Sequence, residues 1–225
     1  MVKLCVEMEV IAIVERFENL EERKQRTIRQ AALAEFAAHG YAKASTNRIV
    51  KAAGIGKGML FYYFTSKQEL YAYLVKYSLE TIQSRFLDRV DGKEPDMIER
   101  LTQLARLKME AQVENEEVFN FSSVFMQEND APLPDGLAVK IGELKQTGYR
   151  LMYEGIDKSR FRKDADPDKV FHLIRWSIDG FQQELLAKLS GQNLAEIDFA
   201  PYWDEFYGYL AILKRSFYET EGESS

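Results

Sequence analysis

Eight residues between positions 46 and 67 have the types and spacing to grip a polyanion: Thr46, Arg48, Lys57, Gly58, Phe61, Tyr62, Tyr63 and Lys67. A lysine donates to guanine O6 or N7 as readily as to phosphate. Gly58 lets backbone come close to a base edge, and Phe61 offers an apolar face to a thymine methyl. The hydroxyls of Tyr62 and Tyr63 reach phosphate oxygens. Thr46 is spaced to cap a helix start, an end that also holds phosphate. Arg48 lies one turn further on, and Lys67 opens the following helix. Each has a plainer alternative: Phe61 as half-buried packing, one tyrosine as a core wedge, Lys67 as a solvated cation. Leu60 and Phe64 are read as core.

These residues need a scaffold, and the segment around them supplies one. Thr46–Leu70 reads TNRIVKAAGIGKGMLFYYFTSKQEL. A short helix (46–53), a tight turn at Ala53-Gly54-Ile55 and a second short helix (57–64) make a helix-turn-helix. A longer helix then opens at Ser66, where Glu69 completes a capping box, and runs to about Val90. Upstream, residues 20–39 form a helix with Ile28, Ala32 and Phe36 on one face, stopped by Gly40.

The net charge of −6 is unevenly spread. Leu20–Tyr77 holds ten Lys/Arg against four Asp/Glu, a balance of +6, and the remainder holds twenty against thirty-two, or −12. A basic module on an acidic body is expected when one end meets phosphate. The single cysteine, Cys5, rules out an internal disulfide framework. No apolar run approaches the roughly 20 residues that span a bilayer, so no membrane partner and a cytoplasmic location are expected.

With those residues in place, the stretch AALAEFAAHGYAKASTNRIVKAAGIGKGMLFYYFTSKQEL closely resembles the N-terminal domain of the TetR family of bacterial repressors. The resemblance covers about Glu22 to Ile82. It implies that the DNA-contacting positions fall on Thr46, Lys57, Gly58, Phe61, Tyr62, Tyr63 and Lys67, and that the protein acts as a ligand-released dimeric repressor on a palindromic operator. One departure is Gly56, where family members often carry Ser or Thr. That removes a hydroxyl able to bind phosphate.

The rest of the chain is also expected to be helical, over about 96–113, 116–127, 135–158, 167–190 and 201–219. The fold class is therefore all-α, about nine helices in all. The expected organisation is an N-terminal extension (1–19), a DNA-binding domain (20–82, motif 45–64), an effector-binding and dimerisation domain (83–220) and a tail (221–225). Phe171, Ile174, Ile178, Phe181 and Leu185 repeat at spacings of three and four, as do Trp203, Phe206, Leu210, Leu213 and Phe217. Two such seams suit an antiparallel helix pair that also meets its copy in a homodimer. The family resemblance further implies a small-molecule effector. Candidate lining residues are Met109, Phe119, Phe121, Phe125, Met126, Tyr149, Met152, Tyr153, Trp176 and Phe181, which suit an apolar or aromatic ligand. Any one of them is as readily core.

No cofactor is expected. His39 and His172 belong to no metal-binding spacing, and there is no phosphate loop or nucleophile elbow. The alternatives kept open are an all-helical enzyme and a helical adaptor that binds protein.

Overall fold

The computed structural model describes residues 17–127, 131–189, 192 and 197–219. Most of the expected N-terminal extension (1–16), the tail from 220, Asn129-Asp130 and Gly191 lie outside the described residues. Within them the chain is all-α. Among the described residues nine α-helices are complete: α1 (Glu22–Lys43), α2 (Thr46–Ala52), α3 (Lys57–Tyr63), α4 (Lys67–Arg85), α5 (Met97–Glu114), α6 (Glu116–Phe125), α7 (Asp135–Tyr153), α8 (Pro167–Leu189) and α9 (Ala200–Phe217). Among the described residues no helix is long and apolar enough to cross a membrane.

Three boundaries differ from expectation for local reasons. Gly40 breaks α1 at φ 64°, ψ 173°, and a last turn follows it to Lys43. α4 ends at Arg85 instead of Val90, because the chain tightens into a 3₁₀ turn (Leu87–Arg89) that buries Leu87. α7 ends at Tyr153 because Gly155 takes φ 70°, a conformation open mainly to glycine.

The helices gather into two compact units. The first is Met1–Arg85 with Ala111–Lys145, the second Phe86–Glu110 with Gln146–Ser225. The first is larger than the 20–82 span expected from sequence because it takes in α6. Phe121 of α6 lies 6.2 Å from the Phe36 ring and 5.4 Å from Tyr71, edge to face. Around this aromatic set, Ile28 and Ala32 of α1, Ile49 of α2, Leu60 of α3 and Leu70 and Leu74 of α4 are all buried. Phe17, ahead of α1, is fully buried against Phe64 (4.9 Å), Tyr73 (5.2 Å) and Tyr63 (5.7 Å).

The second unit has its own core of Met97, Leu101, Tyr153, Ile174, Ile178, Phe206 and Leu210. Asp96 caps α5, accepting from the N–H of Ile98 (2.9 Å) and Glu99 (3.0 Å), and also takes the Tyr218 hydroxyl (3.1 Å) and Arg160 (3.2 Å). Arg100 is buried and satisfied by the carbonyls of Glu94 (2.6 Å), Leu151 (3.5 Å) and Glu154. α8 and α9 run antiparallel: Lys188 sits over Tyr202, Phe181 against Phe206, and Phe161 against Tyr218.

Candidate nucleic-acid interface

The turn between α2 and α3 is fixed by backbone alone. Gly54 takes φ 64°; its N–H donates to Lys51 (3.3 Å), and the Ile55 N–H donates to Val50 (3.0 Å). This 6→1 and 5→2 pair is a Schellman closure, which satisfies carbonyls that the end of α2 leaves free. At the other end of α2 the cap is Ser45, not Thr46 as expected. The Ser45 hydroxyl accepts from the Arg48 N–H at 3.5 Å, and Thr46 is the first helical residue.

α3 has two faces. Leu60 is buried, and Phe64 just beyond the helix anchors its end in the core. On the other side Lys57 and Gly58 are exposed, and Tyr62 is 63% exposed. Phe61 is half-buried, with the Lys57 ammonium 5.8 Å above its ring. No heavy atom lies within 4 Å of a Cβ built on Gly58, so a base edge has room to approach. Of the two tyrosines Tyr63 is the wedge, half-buried against Phe17. Met59, absent from the sequence-based set, is 39% exposed one turn before Tyr62. Its spacing from Tyr62, with Leu60 on the opposite face, was the available signal. Gly56 caps α3 with no side-chain hydrogen bond, in keeping with the missing hydroxyl.

Two of the expected phosphate ligands hold partners within the chain, Lys67 half-buried and Arg48 with its side chain 53% exposed. The Lys67 ammonium donates to the carbonyls of Tyr41 (2.8 Å), Ala42 (3.3 Å) and Ala44 (3.3 Å) and lies 4.6 Å above the Tyr41 ring. Arg48 binds Glu35 through Nε (2.9 and 3.0 Å) and Nη2 (2.6 Å), and Nη2 also donates to the Lys43 carbonyl (2.9 Å). Glu35 accepts the Ser45 N–H as well (2.8 Å), and its side chain is only 8% exposed. Burial pushes the Glu35 carboxyl up, but the Arg48 and Ser45 hydrogen bonds and the guanidinium charge outweigh it and hold the group below its ordinary range.

Residues 28–74, from mid-α1 into α4, match the family described as bacterial regulatory proteins, tetR family. Over those residues the chain carries a TetR family domain. Among curated relatives it is similar to the HTH-type transcriptional repressor KstR2 of Mycolicibacterium smegmatis, at 26% identity over 147 residues, 65% of this chain and 71% of that one. It is also similar to the repressor AcnR of Corynebacterium efficiens, at 26% over 168 residues, 72% and 81% of the two chains. A TetR family regulator from Chloroflexus aurantiacus has the same fold, with a TM-score of 0.64 at 24% identity, covering 92% of this chain and 98% of that one.

Outside the TetR motif, the expected effector-lining residues are shared out between the two units. Phe119, Phe121, Phe125 and Met126 fall in the first, and Met109, Tyr149, Met152, Tyr153, Trp176 and Phe181 in the second. Phe119, Phe121, Phe125 and Tyr153 are buried within their own units, so their periodicity is explained by packing. Ile174, Ile178, Phe206, Leu210 and Leu213 form the second unit's own core, with Phe171, Phe181, Trp203 and Phe217 packed against it and Leu185 half-buried. The richest apolar stripe is drawn inward, where it removes most surface from water. What stays exposed on α8 and α9 is the flank: Leu173, Trp176, Leu186, Tyr209 and Ile212.

Proposed function

We propose that this TetR family protein is a dimeric regulator that reads a palindromic DNA operator with α3 and is released by a small-molecule effector. The observation that carries the reading is the exposed face of α3: Lys57, Gly58 and Tyr62 stand clear of a helix that Leu60 and Phe64 anchor in the core. A recognition helix is built this way, with the N-terminal end and one face free for the major groove. Phe61, Met59 and Tyr63 supply apolar edge and hydroxyl contacts, and Thr46 a phosphate contact at the start of α2. The two curated relatives described above are transcriptional repressors, which supports the reading. We place the protein in the cytoplasm, with its operator.

In this reading α1–α4 is the DNA-binding part, and the second copy docks through the α8–α9 flank. Two half-sites lie about 34–36 Å apart. An effector that prefers one conformation of the helical body changes the separation of the two α3 helices, and affinity falls with that preference. An acyl-type effector is in keeping with a Bacillus subtilis regulator of the same fold, FadR, solved with stearoyl-CoA (TM-score 0.53, 20% identity, 82% of this chain and 96% of that one).

The test is to select bound duplexes from a random pool and titrate the winner against wild type and Lys57→Ala/Tyr62→Ala by fluorescence anisotropy. The double variant is expected to bind at least about a hundredfold more weakly, the scale of two side chains worth about 1–3 kcal/mol each. Equal affinity for the two proteins removes the assignment.

A further inference from the structure

We infer that Lys108, on the buried face of α5, pairs with the anionic head of a small organic acid whose apolar body lies along that same face. That such an acid is the releasing effector rests on the function proposed above. Lys108 stands on the wrong face for an ordinary solvated lysine. Helix positions three, four and seven apart share a face. Leu101, Leu104 and Ala105 before it and Ala111 after it fall at those spacings, and all four are buried, as is Met97 at the start of the helix. Lys108 lies in their midst, and solvent still reaches it. The ion pairs of α5 lie on the opposite face, where Arg106 and Arg89 share Glu110.

Protein crowds Lys108 as well. Burial holds its ammonium below the ordinary lysine range, and no acidic group among the described residues offsets that. A side chain that solvent reaches and protein surrounds stands in a recess, not on the outer surface. Arg100, about two turns earlier on α5, is the contrast: its buried guanidinium is met by the carbonyls of Glu94, Leu151 and Glu154. Lys108 has no such partner among the described residues.

An ammonium left unpaired in a recess is costly, and groups perturbed in this way gather where ligands bind. A carboxylate is its complement, since it accepts a charge-assisted N–H bond that a neutral head does not. Gln112, one turn on and half-buried, offers an amide donor beside it. Leu101 and Leu104 give the face an apolar floor, and Ala105 leaves room above it. One lysine balances a singly charged head and leaves a phosphate monoester half neutralised. An acyl thioester carries no charge at its acyl carbonyl, so the head is a free acid.

Octanoate and octanol differ only at the head, and both are titrated into the intact protein by calorimetry. Wild type is expected to bind octanoate about tenfold or more tightly than octanol, the scale of one charge-assisted hydrogen bond. Lys108→Met, close in volume and uncharged, is expected to lose that preference and keep its octanol affinity. Without ligand the same variant is expected to melt about 2–4 °C higher, because it removes an unpaired charge. No preference for octanoate in wild type, or an equal preference in Lys108→Met, overturns the proposal. So does a Lys108→Met that melts lower than wild type without ligand, since Lys108 would then be held by the fold. Operator binding with and without octanoate separates the two readings. Octanoate held through Lys108 that leaves operator affinity unchanged keeps the acid site and sinks its role as releasing effector.

Discussion

Gly54 holds φ 64° with no heavy atom within 4 Å of the place a Cβ would occupy, so its role is conformational and not steric. Gly54→Ala is therefore expected to cost about 1–2 kcal/mol, the left-handed penalty of an L-residue, read as a lower urea midpoint. An unchanged midpoint would mean the turn relaxes to another conformation. Glu35 gives a pH signature. Its folded-state pKa is lowered, so its contribution is complete above the unfolded value of about 4.3 and is lost as pH falls through the folded one. Glu35→Gln should flatten the acid limb of stability below about pH 4, and an identical acid limb in the variant would refute this. At this scale the exposed face of α3 was legible in the sequence, since side-chain type and one helical period assign Leu60 inward and Lys57 and Tyr62 outward. The partners of Lys67 were not, because a cation's spacing says nothing about carbonyls that converge on it from 23 to 26 positions away.

Helices were legible to within a few residues wherever capping chemistry is local, as at Asp96 or Ser66, whose hydroxyl accepts the Glu69 N–H at 3.1 Å. They overshot where a tertiary demand ended them, as Leu87 does beyond α4. The α8–α9 pair shows a deeper limit. Periodicity finds an apolar stripe, but it does not say whether the stripe's partner is the same chain or another one. The exposed flank, with Trp176 at 58% and Ile212 at 49%, is the surface that water disfavours and that the second copy of the proposed dimer would cover. Trp176→Glu/Ile212→Glu should leave helicity intact and shift the protein to monomer in sedimentation velocity, with operator affinity falling alongside. A double variant that stays dimeric would move the interface elsewhere.

At the scale of the whole molecule, the +6 and −12 split overstates the charge left free, because several of the ten cations already hold partners within the chain: Arg48 with Glu35, Arg29 with Tyr73 and Lys67 with three carbonyls. Duplex binding should still weaken steeply between about 50 and 200 mM salt, with a slope near −0.9 per phosphate engaged. A flat response would favour a protein partner over DNA. The placement of α6 in the same unit as α1–α4 was invisible in sequence, since Phe121 and Phe36 are far apart in the chain and meet only in space.

Phe17 has a practical corollary. It lies eleven positions ahead of the family match, yet it props Tyr63 and Phe64, and Gln25 ties its neighbourhood to α1 through the Glu18 and Leu20 carbonyls (2.7 Å each). A protease cut just after Phe17 would leave the exposed face of α3 in place and still remove what steadies its tyrosine edge. The exposed face of α3 is thus steadied by a residue outside it, and a fragment trimmed to the family match should fold less firmly than one begun a few residues before Phe17.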